Sequence, residues 1–230
     1  MLSRLVAVAC AIMFAATPAI AQNINLAPNV EFPIGGFGVP SVATFGETFT
    51  APGPTNVLQN FQFYLANDID NGGNGGSLLF RGYVSEFNTA SNNLVGPLLF
   101  QSAVTAGNGS ATYAPFFFDT GFLWLDPAKT YIAFLSSSGL APTDNVNLAT
   151  EVLAASDATN PRGSLFFSDN GNDFSGLAQS QAFTIVDGVD AGFSARFSVT
   201  PEPSEVVLLA SGLSGLAGFV RLRRRRAVSA

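Results

Sequence analysis

With no histidine, carboxylate chemistry is the main acid–base chemistry this sequence offers. The 230 residues include no histidine. The single cysteine, Cys10, sits in an apolar N-terminal run. Ser-His-Asp and Cys-His mechanisms therefore cannot be assembled, and histidine-containing zinc sites are excluded. Residues 22–200 hold fourteen Asp and Glu residues. Asp119, Thr120 and Gly121 spell the tripeptide used where two aspartates share one proton. It occurs once, so such a site would need a homodimer, and Phe122 stands where a small residue normally follows. A strand ending in an Asp-Gly type turn is the plainer reading. A glycosidase needs two carboxyl groups about 5–10 Å apart. Many pairs are available and no spacing selects one, although acids buried beside Trp124 or Tyr131 would be of interest. The expectation is a protein that is not an enzyme.

Oxygen-rich loops offer a second chemistry. Asp68, Asp70, Asn71 and Asn74 lie among glycines, and Asp169, Asn170, Asn172 and Asp173 surround Gly171. Oxygen ligands at alternate positions, with glycine for tight curvature, suit Ca²⁺. Neither loop has the terminal glutamate of an EF-hand or a repeated nonapeptide, and Asx-rich hairpin loops account for both without metal. The first loop is the better calcium candidate, and no other cofactor is expected. Trp124, the one tryptophan, could stack on a sugar ring. Its apolar neighbours Phe122, Leu123 and Leu125 point instead to core or edge packing.

The elements that must position these residues read as β almost throughout. Phe193, Ala195, Phe197 and Val199 alternate with Ser194, Arg196 and Ser198, the period of a strand with one wet face. Tyr131 to Ser136, Leu78 to Phe87, Phe61 to Leu65 and Tyr113 to Phe118 are further aromatic and aliphatic runs. Turn clusters separate them at Ala51 to Pro54, Asn67 to Gly76, Gly107 to Ser110, Ser168 to Gly176 and Asp187 to Gly192. Glu151 to Ser156 alone looks mildly helical. The fold class expected is all-β, a single β-sandwich or jelly-roll domain of roughly eight strands over residues 22–200, burying most phenylalanines between two sheets.

Both ends of the chain carry addresses. Arg4 precedes an apolar stretch from Leu5 to Ala16, and Ala19, Ile20 and Ala21 form a small-x-small site before Gln22. Residues 1–21 thus read as a secretory signal peptide, cut by signal peptidase between Ala21 and Gln22. Ala7, Val8 and Ala9 lack the leucine of a lipobox before Cys10. The mature chain then has no cysteine, and burial alone must hold the fold. At the other end come Pro201, Glu202 and Pro203, an uncharged run from Val206 to Val220, and the basic residues Arg221, Arg223, Arg224, Arg225 and Arg226. Fifteen helical residues reach about 22 Å, short against a hydrocarbon core of about 30 Å. Leu222 and the arginine stems can extend the helix by snorkelling, to about residues 205–222, and the basic end favours the cytoplasm. The two prolines cannot continue a strand ladder or start a helix at their own amides, which leaves a stiff, accessible segment. Gly212, Gly215 and Gly218 recur every three residues, not at the spacing of a Gly-x-x-x-Gly dimer face.

This order of motif, helix and arginine cluster over residues 201–230 resembles the PEP-CTERM sorting signal of Gram-negative bacteria. The resemblance implies an exosortase-type membrane transpeptidase as partner, an inner-membrane-anchored precursor, and a mature form at the cell surface or in the extracellular matrix, often tied to exopolysaccharide and biofilm. The order of Phe45 to Thr50, Phe80 to Val84 and Val95 to Phe100 is similar to the β-sandwich ectodomains that often precede such tails, an implication for fold alone. Residues 22–200 carry four basic residues against fourteen acids, a balance of −10. So acidic a domain would repel phosphate backbones, so no nucleic-acid partner is expected. The function expected is an exported, non-enzymatic surface or matrix protein that contacts extracellular polysaccharide. A secreted carbohydrate-active enzyme, or a calcium-dependent carbohydrate-binding module, is the alternative.

Overall fold

A computed structural model of the chain describes residues 23–38, 42–53, 56–67, 78–107, 109–140, 151–156, 163–198 and 211–214. Ala19, Ala21 and Gln22, where signal-peptide cleavage is expected, lie outside them, as do Asp68, Asp70, Asn71 and Asn74 of the first candidate calcium loop. So do Pro201, Glu202 and Pro203, the expected sorting motif, and the basic residues Arg221 and Arg223 to Arg226. Of the tail, residues 211–214 form a helical turn. Among the described residues no helix is long and apolar enough to cross a membrane.

The described strands form two antiparallel sheets packed face to face, as expected for an all-β sandwich. In chain order they are β1 (Ile24–Leu26), β2 (Pro28–Phe37), β3 (Thr44–Thr50), β4 (Val57–Asn67), β5 (Leu79–Asn88), β6 (Asn93–Gln101) and β7 (Thr105–Ala106). There follow β8 (Ala114–Trp124), β9 (Thr130–Ser136), β10 (Glu151–Ser156), β11 (Leu165–Ser168), β12 (Thr184–Val186), β13 (Asp190–Ala191) and β14 (Phe193–Ser198). In the first sheet β4 is central, with β8 on one side and β14 and β10 end to end on the other, while β1 and β2 close the far edge. The second sheet runs β12-β11-β3-β9-β5-β6, with β7 continuing beside β5.

These fourteen strands exceed the roughly eight expected, because two- and three-residue strands such as β7, β12 and β13 are too short to leave a period in the sequence. Glu151 to Ser156 is strand β10 and not helix. It pairs with both β2 and β4, and its own Leu153 and Ala154 are buried. Six residues cannot nucleate a stable helix alone, so ladder pairing overrides their helical propensity.

Phenylalanine fills the space between the sheets. Phe61 and Phe63 on β4, Phe193 and Phe197 on β14, Phe49 on β3 and Phe80 on β5 are all fully buried there. Phe49 touches Phe193 and Phe197 across the gap at 6.2 and 5.9 Å between ring centroids. Each such ring contributes about 1.5–3 kcal/mol through burial. One acid enters this space: Glu47 on β3 has no exposed surface, and its Oε2 accepts the Ala191 N–H at 3.2 Å, joining the two sheets.

A second core lies on the outer face of the second sheet, where the sequence pattern had suggested none. Tyr83, Phe87, Ile132, Phe134 and Phe166 point away from the first core and are covered by Leu177 and Phe183. The covering strap contains a 3-10 turn, Phe174–Ala178, capped by Asp173. It is tied to the β5–β6 hairpin by Gln181 N–H to Ser91 O (2.7 Å), Phe183 N–H to Asn92 O (3.0 Å) and Asn93 Nδ2 to Ala178 O (2.8 Å). Tyr83 stacks on Phe134 at 4.9 Å. At Gly46 the second sheet approaches its neighbours so closely that a Cβ would lie 2.7 Å from Ile132 Cδ1 and Phe134 Cβ.

Candidate functional site

The two sheets treat their outer faces differently, and the open face of the first is where a ligand could sit. Strand β4 directs Phe61, Phe63 and Leu65 inward, so Asn60, Gln62 and Tyr64 between them point outward. The same alternation in β14 buries Phe193, Ala195 and Phe197 and leaves Ser194, Arg196 and Ser198 on the wet side, as the sequence indicated. Register then assembles rows across the sheet. Phe117, Gln62, Ser194 and Asn25 form one, and Asp119, Asn60 and Arg196 the next. With strands about 4.8 Å apart, the Asp119 and Arg196 backbones lie roughly 10 Å from each other on either side of Asn60. In the first of these rows' neighbours, the Gln62 amide donates to the Tyr64 hydroxyl at 2.7 Å.

Strand β8 supplies the aromatic part, through an irregularity. Leu58 pairs with Leu123 and Asn60 with Asp119, so Thr120, Gly121 and Phe122 together oppose Gln59 alone. The Asp119 carboxylate accepts the Gly121 N–H at 2.9 Å, and the Thr120 hydroxyl donates to the Leu58 carbonyl at 2.6 Å. Gly121 takes φ of +74°, which glycine adopts without a steric cost, and Phe122 takes φ of +135°, which a bulky residue does not. Backbone held in such a region costs on the order of 1–3 kcal/mol and is found where surroundings dictate it. The bulge resets the alternation, so that Phe122 and Trp124 emerge on the solvent side with Phe117.

Two expectations are corrected by this geometry. The strand does not end at Asp119-Thr120-Gly121 but continues through the bulge to Trp124. Trp124 is not packed away: it is 60% exposed, with Phe117 at 58% and Phe122 at 78%. Its neighbours Phe122 and Leu123 diverge, and the apolar run that suggested burial is split by the bulge between two faces. The rows from Tyr64 to Trp124 contain one carboxylate, Asp119. Glu47 and Asp190, the buried acids among the described residues, lie on β3 and β13, outside these rows.

In the second Asx-rich loop three of the four candidate calcium ligands, Asn170, Asn172 and Asp173, accept hydrogen bonds within the protein. Asn170 Oδ1 accepts from the Thr44 hydroxyl at 2.9 Å, and Asn172 Oδ1 accepts the Gly139 N–H at 3.3 Å. Asp173 Oδ1 accepts from the Ser175 hydroxyl and the Gly176 N–H at 2.6 and 3.1 Å. Those bonds, the serine's first, hold the Asp173 carboxyl below the usual carboxylate range. Among the described residues no group of three or more acidic, histidine or cysteine side chains is placed to hold a metal.

Sequence reasoning singled out Trp124 and the wet side of β14. It missed Asn60 and Gln62, whose signal is the alternation of amides with Phe61 and Phe63 in β4, and Phe117, which has no such signal within its run of three phenylalanines. No family model matches the chain, and no curated protein matches it either.

Proposed function

We propose that this is an exported, non-enzymatic protein of the cell surface or extracellular matrix, delivered by its Pro201-Glu202-Pro203 tail, and that its sandwich contacts extracellular polysaccharide. The observation that carries the polysaccharide reading is the open face of the first sheet. Flat aromatic rings at Trp124, Phe122 and Phe117 stand beside amides, a carboxylate and a guanidinium in solvent. Sugar rings present apolar C–H faces and hydroxyl edges, and such a surface suits both: ring faces for stacking, and Asn60, Gln62, Asp119 and Arg196 for hydroxyl donors and acceptors. One carboxylate in those rows favours holding a glycan over cleaving it, since hydrolysis uses two.

Under this reading residues 1–21 are removed by signal peptidase, an exosortase-type transpeptidase acts near Pro201 to Pro203, and the apolar helix with Arg221 to Arg226 is a temporary tether. Intact mass of protein recovered from the cell surface tests delivery: the expected product begins at Gln22 and lacks Val206 to Arg226, and a mature chain retaining that segment sinks processing. Affinity electrophoresis through immobilised exopolysaccharide tests the ligand. Retardation should fall at least tenfold in Trp124→Ala, with no reducing sugar released. Equal retardation of variant and parent refutes the open face as the glycan surface, and sugar release abolished by Asp119→Asn would favour a carbohydrate-active enzyme.

A further inference from the structure

We infer that strand β8 is an assembly edge, which pairs antiparallel with β8 of a second copy of this chain. The argument rests on backbone, and is independent of the glycan reading. β8 is eleven residues long and bonded to β4 along one side. Among the described residues no strand pairs with its other side. A row of unpaired amides and carbonyls is a template for another strand, and monomeric proteins blunt such edges with proline, bulges or lysine. The corresponding edge of the second sheet is blunted in this way: β6 carries Gly96 at φ +70° followed by Pro97 at its middle. In β8 the one proline, Pro115, stands at the second position, no lysine or arginine occurs, and the bulge comes only after Asp119. Between Pro115 and the bulge, Phe116 to Asp119 form a regular stretch without lysine or arginine.

What covers that edge is indicated by its self-complementarity. A two-fold axis through Phe117 sets Phe117 opposite Phe117 of the second copy on the open face, and Phe116 opposite Phe118. Pro115 then faces Asp119, so the two Asp119 carboxylates are never directly opposed. They sit four residues out of register, about 13 Å apart along the strand. An axis through Asp119 would put like charges face to face, which is destabilising. The Phe117 register therefore joins aromatic to aromatic and buries the most exposed regular stretch of the edge.

The test uses the exported protein at increasing concentration in sedimentation velocity. A dimer is expected, and Phe117→Lys, which opposes two cations at the axis, should weaken it at least tenfold while leaving the melting temperature of the dilute monomer unchanged. Register is read by oxidative cross-linking in single-cysteine variants. Phe117→Cys should link to itself, because directly opposed Cβ atoms lie about 4.5–5.5 Å apart. Pro115→Cys should not, its symmetry mate being about 13 Å away. A protein that stays monomeric at high micromolar concentration overturns the inference. So does a dimer indifferent to Phe117→Lys, or equal cross-linking at positions 115 and 117. A loss of glycan retention in Trp124→Ala with unchanged dimerisation would leave this edge standing on its own evidence.

Discussion

The outer faces of the two sheets are built from the same alternation and end in opposite conditions. On the second sheet, Tyr83, Phe87, Phe134 and Phe166 face outward and are sealed under the strap that runs through Phe174, Leu177 and Phe183. On the first, Asn60, Gln62 and Arg196 face outward with Phe117 and Trp124, and among the described residues nothing covers them. The difference teaches that aromatic content alone does not mark a core. A ring becomes core when a neighbouring segment supplies a lid with its own hydrogen bonds satisfied, as the strap does through Asn93 and the Ser91 and Asn92 carbonyls. Rings without such a cover stay available to a ligand.

Four substitutions and conditions can break or sharpen this contrast. The largest effect is expected from Phe134→Ala, which empties the centre of the covered face where Tyr83, Phe174 and Phe183 meet. It should cost about 3–5 kcal/mol, a fall in melting temperature of roughly 10 °C or more in a differential scan. A loss below about 1 kcal/mol would mean the strap adds no real core. Gly46→Ala comes next, at about 1–3 kcal/mol by urea denaturation, because its new Cβ would strike Ile132 and Phe134, which are held by a sheet ladder and cannot withdraw.

On the open face the expected stability changes are small. Trp124→Ala should shift unfolding free energy by no more than about 0.5 kcal/mol, in contrast to Phe134→Ala, because the ring lies mostly in water. A cost comparable to a core ring would show that Trp124 is structural and would weaken the polysaccharide reading. The smallest effect concerns the cap of the strap. The folded Asp173 carboxyl titrates below its ordinary value, so it binds its proton less readily in the folded state than in the unfolded one. Its stabilisation is therefore present above the usual carboxylate range, and is lost as pH falls from about 4 through the lowered value. Asp173→Asn should flatten the acid limb of stability in a pH series of thermal melts, and a limb unchanged in steepness would show that the cap does not depend on charge.

Much of the fold was legible in order. The alternation of Phe193 to Ser198 identified both a strand and its wet face, and the run from Tyr131 lies in β9 and that from Leu78, apart from Leu78 itself, in β5. Glu151 to Ser156 was not legible, because its strand state comes from β2 and β4, partners over eighty residues away in sequence. Trp124 misled for a related reason. Its neighbours are apolar, but the Gly121–Phe122 bulge rotates the chain there, and a bulge depends on what the opposing strand does at Gln59.

Sequence by itself determined the class of structure and the absence of histidine chemistry, because these follow from local period and composition. Only the tertiary structure decided which aromatic rings are core and which are surface. Side-chain exposure depends on register and on what covers each face, and both are set by contacts between residues far apart in the chain.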